Sequence, residues 1–307
     1  MKDIEMETAI IYGIGKKAFE NLKEIEDTYS IIAVSDSNSK KWGGVWHGYP
    51  VIMPSEINDY EYDWILVPSF NFYQQIFQEL TTLYHIDPRK ICKSWSKGRA
   101  ELGYWKMKIS EEGTLKNSHY KKVLLCMAER EDDSFMQGKI VADFGCGPRG
   151  SLAWTNVPAV KIGIDVLALE YVNATNIRDH GMIYLTSTET DIPISDNIVD
   201  CIFTLNAFDR VSNPERMLSE IARVLKNTGE FIASFDLYQP EEEGQPQWYT
   251  EDIIDNLLKQ KFNIISRRLA YSTGWAEPYN NMFDKKYETR LNSDRQGYMW
   301  IRAKKKQ

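Results

Sequence analysis

Cysteine and histidine are both scarce in this chain, with four of each among 307 residues. The cysteines form no C-x-x-C pair, and none has a histidine companion at metal-ligand spacing. This usage is typical of reduced thiols in the cytoplasm and argues against a structural zinc site. The four cysteines are Cys92, Cys126, Cys146 and Cys201.

Long apolar runs and a basic face are missing as well. No run reaches the roughly 18 apolar residues that a membrane helix needs, and residues 1–7 lack the apolar core of an export signal. The net charge of −7 disfavours a nucleic-acid partner, and the lysine-rich segment 302–306 is interpreted as a solvated terminus. We therefore expect a cytoplasmic protein that contacts neither membrane nor nucleic acid.

The most informative stretch joins an apolar strand to a glycine turn. Lys139–Ala142 predicts a strand covered on both faces, and Asp143 stands at its carboxyl end. Gly145, Gly147 and Gly150 follow at the spacing G-x-G-x-x-G, and a helix start is expected after them. Glycine permits a tight turn and close approach of a ligand to the backbone. Open α/β sheets bind their ligands at this edge.

Asp143 distinguishes this turn from one that binds a dinucleotide. A carboxylate two residues before the first glycine would repel a pyrophosphate and suits a cationic group such as an ammonium. The motif resembles the first motif of class I methyltransferases that use S-adenosylmethionine, in which the glycine loop packs against the methionine part of the cofactor. The resemblance implies cofactor contacts from Asp143, Gly145, Cys146, Gly147, Pro148 and Gly150. Cys146 is interpreted as a small buried residue, not a nucleophile.

The segments that follow keep the order of that family. Lys161–Val166 predicts a second strand ending at Asp165, whose carboxylate can accept both ribose hydroxyls. Met182–Leu185 predicts a third strand, and the turn-rich loop 187–193 would pass beside the adenine. A fourth strand is predicted within 196–206. The resemblance adds these expected cofactor contacts: Asp165, Val166, Thr188, Glu189, Leu205 and Asn206.

A helix and a fifth strand complete the pattern. Residues 214–225 have apolar side chains at a helical period, and Asn213 before a proline predicts the helix start. Gly229 is interpreted as the stop signal, before a strand at 230–235. The ordered set resembles small-molecule methyltransferases over residues 117–307. It implies an α/β fold whose mostly parallel, seven-stranded sheet carries helices on both faces.

Residues 1–95 contain a second glycine turn and predict a second, smaller Rossmann-like domain. Gly13, Gly15 and Ala18 fit G-x-G-x-x-A, and Asp36 follows the turn by about 20 residues, as in a dinucleotide fingerprint. This segment resembles small Rossmann-like domains attached to sugar-modifying enzymes. In those relatives the turn can hold a nucleotide-sugar phosphate or nothing, so a nucleotide or nucleotide-sugar site and a docking or homodimer role both stay open.

We expect three parts in the chain: a Rossmann-like domain at 1–95, a linker and covering helix at 96–137, and the methyltransferase domain at 138–307. Residues 93–116 predict a linker, and 119–130 predict a helix. The resemblance implies that this part folds over the cofactor and shapes the acceptor pocket. His119 and Tyr120 are candidates to face the acceptor.

The expected reaction is methyl transfer from S-adenosylmethionine to a small molecule, with a sugar or nucleotide-linked saccharide suggested by the attached domain. The protein mainly has to position the reactants, although some acceptors need a base. Asp209 is the candidate base, because Arg210 stands where many relatives carry a histidine. Two alternatives stay open: an NAD(P)-dependent oxidoreductase that uses the N-terminal turn, and a non-catalytic binding protein.

Overall fold

The computed structural model describes residues 6–69, 72–92, 94–175, 177–188, 191–211, 213–238, 249–274 and 276–306. The chain divides into two units, 1–100 and 101–307. Each unit has its own hydrophobic core on both faces of its own sheet.

The N-terminal unit is a Rossmann-like half. Within its described residues the sheet order is β3-β4-β2-β1-β5-β6, and every pairing is parallel except the β3–β4 hairpin. The strands are β1 (Thr8–Tyr12), β2 (Ser30–Ser35), β3 (Val45–Trp46), β4 (Tyr49–Ile52), β5 (Trp64–Leu66) and β6 (Ile91–Cys92), and the helices are α1 (Lys16–Glu26) and α2 (Tyr73–Gln78).

The C-terminal unit is built on a larger sheet with helices beside it. Its strands are β7 (Ile140–Phe144), β8 (Val160–Asp165), β9 (Ile183–Thr186), β10 (Val199–Leu205), β11 (Leu225–Leu237), β12 (Phe262–Tyr271) and β13 (Gly297–Lys305). Its helices are α4 (His119–Ala128), α5 (Ala168–Ala174), α6 (Pro214–Val224), α7 (Glu251–Leu258) and α8 (Asn280–Phe283), and α3 (Ser94–Glu112) leads into it.

The strand order of this sheet confirms the predicted architecture. The seven strands of the described part run in the order β12-β13-β11-β10-β7-β8-β9. Only β13 is antiparallel to its neighbours β11 and β12. The carboxyl ends of β7, β8 and β10 therefore meet at one edge, which is where a parallel sheet places its ligand.

Residues at the two ends of α6 show one correct and one wrong prediction. The Asn213 side chain caps the helix by accepting from the Arg216 N–H at 3.0 Å. Gly229 does not stop the helix, because α6 ends at Val224 and β11 begins at once. Instead β11 is irregular where it pairs with β10, since the register jumps from Leu225 to Glu230. A side chain at position 229 would crowd the Lys226 carbonyl oxygen at 2.9 Å.

Three other segments differ from the sequence expectation. The 93–116 stretch is helical over Ser94–Glu112. The 302–306 segment is not a solvated terminus, because all but its last residue belongs to β13 and Arg302 pairs with Glu230 at 2.6 Å. After the glycine turn, residues 145–159 contain turns and no regular helix. Three glycines with positive φ in that loop break helical backbone geometry.

Candidate functional site

The glycine turn after β7 needs glycine for both conformation and space. Gly145, Gly147 and Gly150 have φ values of +72°, +56° and +73°, a region that other residues rarely adopt. A side chain at 145 would overlap the Ala207 Cβ, and one at 150 would lie 2.5 Å from the His180 ring. The spacing recognised in the sequence therefore corresponds to three sterically required positions.

Asp143 is a buried carboxylate beneath this turn. It is 3% exposed, and the Ser151 hydroxyl donates a short hydrogen bond to its Oδ2. Its Oδ1 has no hydrogen-bond partner in the part of the chain that the structure describes. Burial raises the pKa of Asp143 to about 7, against the opposing hydrogen bond from Ser151. A buried acceptor left without a donor is costly, so this site suits a ligand that brings a donor.

Asp165 fastens the turn to the end of β8. Its Oδ2 accepts the Gly147 N–H and its Oδ1 accepts the Leu167 N–H, both at 3.0 Å. Each carboxylate oxygen has a second lone pair, so ribose hydroxyls could bind in addition. Val166 follows and packs, half-buried, beside Leu167.

The remaining predicted contacts differ in their surroundings. Thr188 is exposed, and its N–H donates to the Asp191 carbonyl at 3.0 Å. Glu189 lies outside the described residues. Leu205 is the last residue of β10 and Asn206 follows it, close to the glycine turn through Ala207. Asn206 has a φ of +48°, which is strained for a residue other than glycine and often marks a functional position.

Cys146 and Pro148 are buried parts of the loop. Burial raises the pKa of the Cys146 thiol well above its ordinary value, so the thiol stays protonated and a poor nucleophile. The Cys146 Sγ would lie 2.8 Å from a Cβ at position 163, where β8 has glycine. Cys146 therefore packs the turn against β8.

Asp209, the candidate base, lies in a single 3₁₀ turn after β10. It is 4% exposed, and its charge adds to the burial that raises the pKa of Tyr249. The adjacent Arg210 pairs with Glu101 of α3. His119 and Tyr120 begin α4, and burial, followed by the charge of Asp143, raises the pKa of Tyr120.

Helix α3 covers the glycine turn, a role that the sequence interpretation did not assign to particular residues. The Trp105 ring would lie 3.2 Å from a Cβ at Gly147. Glu112 holds Arg149 of the turn through two hydrogen bonds of 2.7 and 2.9 Å. This pairing and a backbone N–H lower the pKa of Glu112 to about 2. The sequence signal that could have identified these residues was the occurrence of aromatic residues among charges, with Glu101 and Trp105 one helical turn apart.

Sequence reasoning also missed a group of residues at the ends of β11 and β13. Asp236 and Tyr298 are buried there, and Tyr279 lies beside Tyr298 with ring centroids 4.8 Å apart. No motif marks any of these residues, and only the alternation of β11 could have indicated that Asp236 faces the same side as Ser234.

The described residues contain no group of three or more histidine, cysteine or acidic side chains that could hold a metal ion. None of the helices in the described ranges is both long and apolar enough to cross a bilayer.

Two known families match the chain, one over each of its two sheets. Residues 142–233 match a family described as a methyltransferase domain, over β7 to β11. Residues 5–92 match a family described as C2185-like, N-terminal. The C-terminal unit is a class I methyltransferase domain. Its family uses S-adenosylmethionine, and the unpaired Asp143 oxygen beneath a bare glycine turn fits the ammonium of that cofactor.

The methyltransferase domain also resembles individual proteins. A sarcosine/dimethylglycine N-methyltransferase from Halorhodospira halochloris is 31% identical over 102 residues, which are 30% of this chain and 36% of that protein. The match thus spans about a third of the curated relative.

Solved structures share the fold at low identity. The [4+2]-cyclase SpnF has a TM-score of 0.51 at 16% identity, covering 70% of this chain and 96% of its own. A methyltransferase from Thermotoga maritima, titled a possible histamine N-methyltransferase, has a TM-score of 0.48 at 15% identity, covering 70% and 100%.

Proposed function

We propose that this chain transfers a methyl group from S-adenosylmethionine to a small-molecule acceptor. The observation that carries the proposal is the buried Asp143 carboxylate under the glycine turn, whose Oδ1 has no donor among the described residues. When bound, the sulfonium cofactor supplies both the methyl group and the leaving group. The chain's own residues then have to orient the reactants and exclude water.

Each predicted contact has a role in this proposal. Asp143 pairs with the cofactor's ammonium, and Asp165 holds the ribose while it anchors Gly147. From the resemblance, Thr188 and Glu189 are proposed to lie beside the adenine and Asn206 near the reacting methyl group, with Val166 and Leu205 as further cofactor contacts. Asp209 is proposed as the base if the acceptor needs one.

The first test is binding of the reaction product S-adenosylhomocysteine, measured by calorimetry. We expect micromolar binding to the protein and at least a tenfold loss for Asp165→Ala, because the ribose loses its acceptor. No binding by the wild type would refute the proposal, and unchanged affinity of the variant would refute the role of Asp165. Labelled cofactor with small-molecule extracts would then identify the acceptor.

Two features of the chain suggest different acceptors. The partial relative is named for sarcosine and dimethylglycine, which suggests a small amine. The N-terminal unit resembles domains of sugar-modifying enzymes, which suggests a sugar or a nucleotide-linked saccharide. Cytoplasmic location and a homodimer stay predictions.

The second candidate is NAD(P)-dependent oxidation through the N-terminal turn. Asp36 follows β2 directly and accepts the Ile14 N–H at 3.0 Å, so a carboxylate stands beside that turn as in a dinucleotide site. Side chains at Gly13 and Gly15 would meet nothing within 4 Å, which leaves room for a ligand. Thermal stabilisation by NAD but not by S-adenosylhomocysteine would favour this alternative.

A third candidate is a binding protein that keeps the fold without methyl transfer. Cofactor binding without transfer to any extract fraction would favour it.

A further inference from the structure

A buried carboxylate and a tyrosine face each other across two strands at the site edge of the sheet. Asp236 near the end of β11 is 6% exposed and pairs in register with Tyr298 of β13, which is 4% exposed. Directly opposed residues of an antiparallel pair point to the same face, with Cβ atoms about 5 Å apart. The carboxylate therefore lies against an aromatic side chain and not against solvent.

Tyr279 extends this group toward the end of β10. It comes from the segment between β12 and β13, and its ring centroid lies 4.8 Å from that of Tyr298 and 5.4 Å from that of Trp300. The Asn206 side-chain amide donates to the Tyr279 hydroxyl at 2.5 Å. Asn206 in turn accepts from the Ser234 hydroxyl at 2.6 Å. The β12–β13 segment is thus tied to the edge where the cofactor's reacting end is expected.

Tyr120 packs against the same buried cluster as Tyr279, which includes Tyr298 and Trp300. The charge of Asp143 adds to the burial that raises the pKa of Tyr120. The pKa of Tyr279 is raised by burial, then by Asp236, and also by Tyr120. Tyr120 and Tyr279 therefore lie on the same side of the sheet.

A carboxylate flanked by aromatic rings has the chemistry that recognises an organic cation. Ring faces attract ammonium groups, and a buried carboxylate is stabilised by a positive partner. We propose that Asp236, Tyr279 and Asn206 form the acceptor subsite and that the acceptor atom is an amine nitrogen. This inference rests on the proposed function.

The transfer step balances with these groups. The amine is held as an ammonium by Asp236 and releases one proton to water before it reacts. Its lone pair then forms the new nitrogen–carbon bond while the sulfur–carbon electrons return to sulfur. The products are a neutral thioether and a methylated ammonium, which again faces the carboxylate.

The test uses a cation that cannot react. We expect the full chain, saturated with S-adenosylhomocysteine, to bind tetramethylammonium at least tenfold more tightly than the uncharged isostere tert-butanol, measured by ligand-observed NMR. Equal binding of the two probes, or binding of neither, would overturn the amine assignment. Failure to bind S-adenosylhomocysteine would instead overturn the proposed function, so the two failures are distinguishable.

Two variants test whether tetramethylammonium binds at Asp236. Asp236→Asn should weaken tetramethylammonium binding at least tenfold and leave S-adenosylhomocysteine affinity within threefold. Asp284→Asn is the control, because it removes the same charge from an exposed side chain after α8 that pairs only locally, with Lys286. It should change neither affinity more than twofold. Equal effects of the two variants would mean that Asp236 does not hold the cation. If Asp236→Asn fails to fold, the wild-type comparison of the two probes decides alone.

Discussion

Gly145 combines two constraints that can be separated by mutation. Its φ is +72°, and an added Cβ would overlap the Ala207 Cβ. We expect Gly145→Ala to lower the free energy of unfolding by on the order of 3 kcal/mol, from backbone strain plus overpacking. Urea denaturation followed by circular dichroism measures the change.

Gly138→Ala is the matched control for that variant. Gly138 has a φ of +68° but nothing within 4 Å of its Cβ position, so only the backbone strain of about 1–2 kcal/mol applies. Equal losses for the two variants would show that contact with Ala207 is unimportant.

The buried Asp143 predicts a particular pH dependence of stability. Its pKa rises from 3.8 to about 7 in the folded state. Between these values the folded protein binds more protons than the unfolded chain, so the free energy of unfolding falls as pH rises from 4 to 7. Asp143→Asn should remove this part of the decline, as urea titrations at pH 5 and pH 8 would measure.

The affinity for the cofactor should also depend on the ionisation of Asp143. It should rise with pH over the range in which the stability falls. The cofactor's ammonium favours the ionised form, so S-adenosylhomocysteine affinity should fall by up to tenfold per pH unit below 7. The Asn variant should bind more weakly and with a flatter pH dependence. A wild-type affinity that is constant from pH 5 to pH 8 would contradict pairing with Asp143.

Residues within local motifs could be predicted from the sequence, whereas residues brought together by tertiary structure could not. Asp143 and Gly145 were identified because strand and turn are contiguous. Asp236 occupies an ordinary strand position, and Tyr279 belongs to no motif. They lie close together because β13 runs back antiparallel beside β11. Strand pairing of this kind depends on the tertiary structure and is not visible in the sequence.

At the scale of elements, α3 is the main structure that the sequence did not predict. Its Tyr104 and Met107 stay 45% and 48% exposed, and Gly103 interrupts the pattern. The apolar side chains therefore do not form a single stripe, which is the signal that identifies amphipathic helices. Apolar segments, by contrast, predicted the five strands β7 to β11 of the methyltransferase sheet.

The contact of α3 with the glycine turn predicts a local change in dynamics. Glu112→Gln weakens the pairing with Arg149, which joins the helix to the turn. We expect amide hydrogen exchange in residues 101–112 to accelerate several-fold without loss of the fold, because local opening becomes easier. Mass spectrometry of deuterium uptake measures this.

Glu111→Gln provides the comparison for α3. Glu111 pairs with Lys108 of the same helix at 2.7 Å, and such exposed pairs contribute little. Exchange in 101–112 should barely change. The same acceleration in both variants would indicate that loss of charge, and not loss of the tie to the turn, is responsible.

At the scale of the whole molecule, the separate cores predict that the methyltransferase domain is self-sufficient. A fragment of residues 94–307, which keeps α3 whole, should fold and bind S-adenosylhomocysteine within threefold of the full chain. Ligand at 100 times its dissociation constant should add about 2.7 kcal/mol to its stability. Calorimetry and thermal unfolding measure both values, and a fragment that binds nothing while the full chain binds would show that the N-terminal unit is required.

The position of β13 in the sheet has a consequence for how the molecule is assembled. It lies between β11 and β12 although the chain makes it after both. During synthesis β11 and β12 are both made before β13, the strand that pairs with each of them. Until β13 is made, β11 and β12 could pair incorrectly with one another. The Tyr279 segment and Tyr298 reach their places only when β13 inserts, so the proposed acceptor subsite forms only after this strand has joined the sheet.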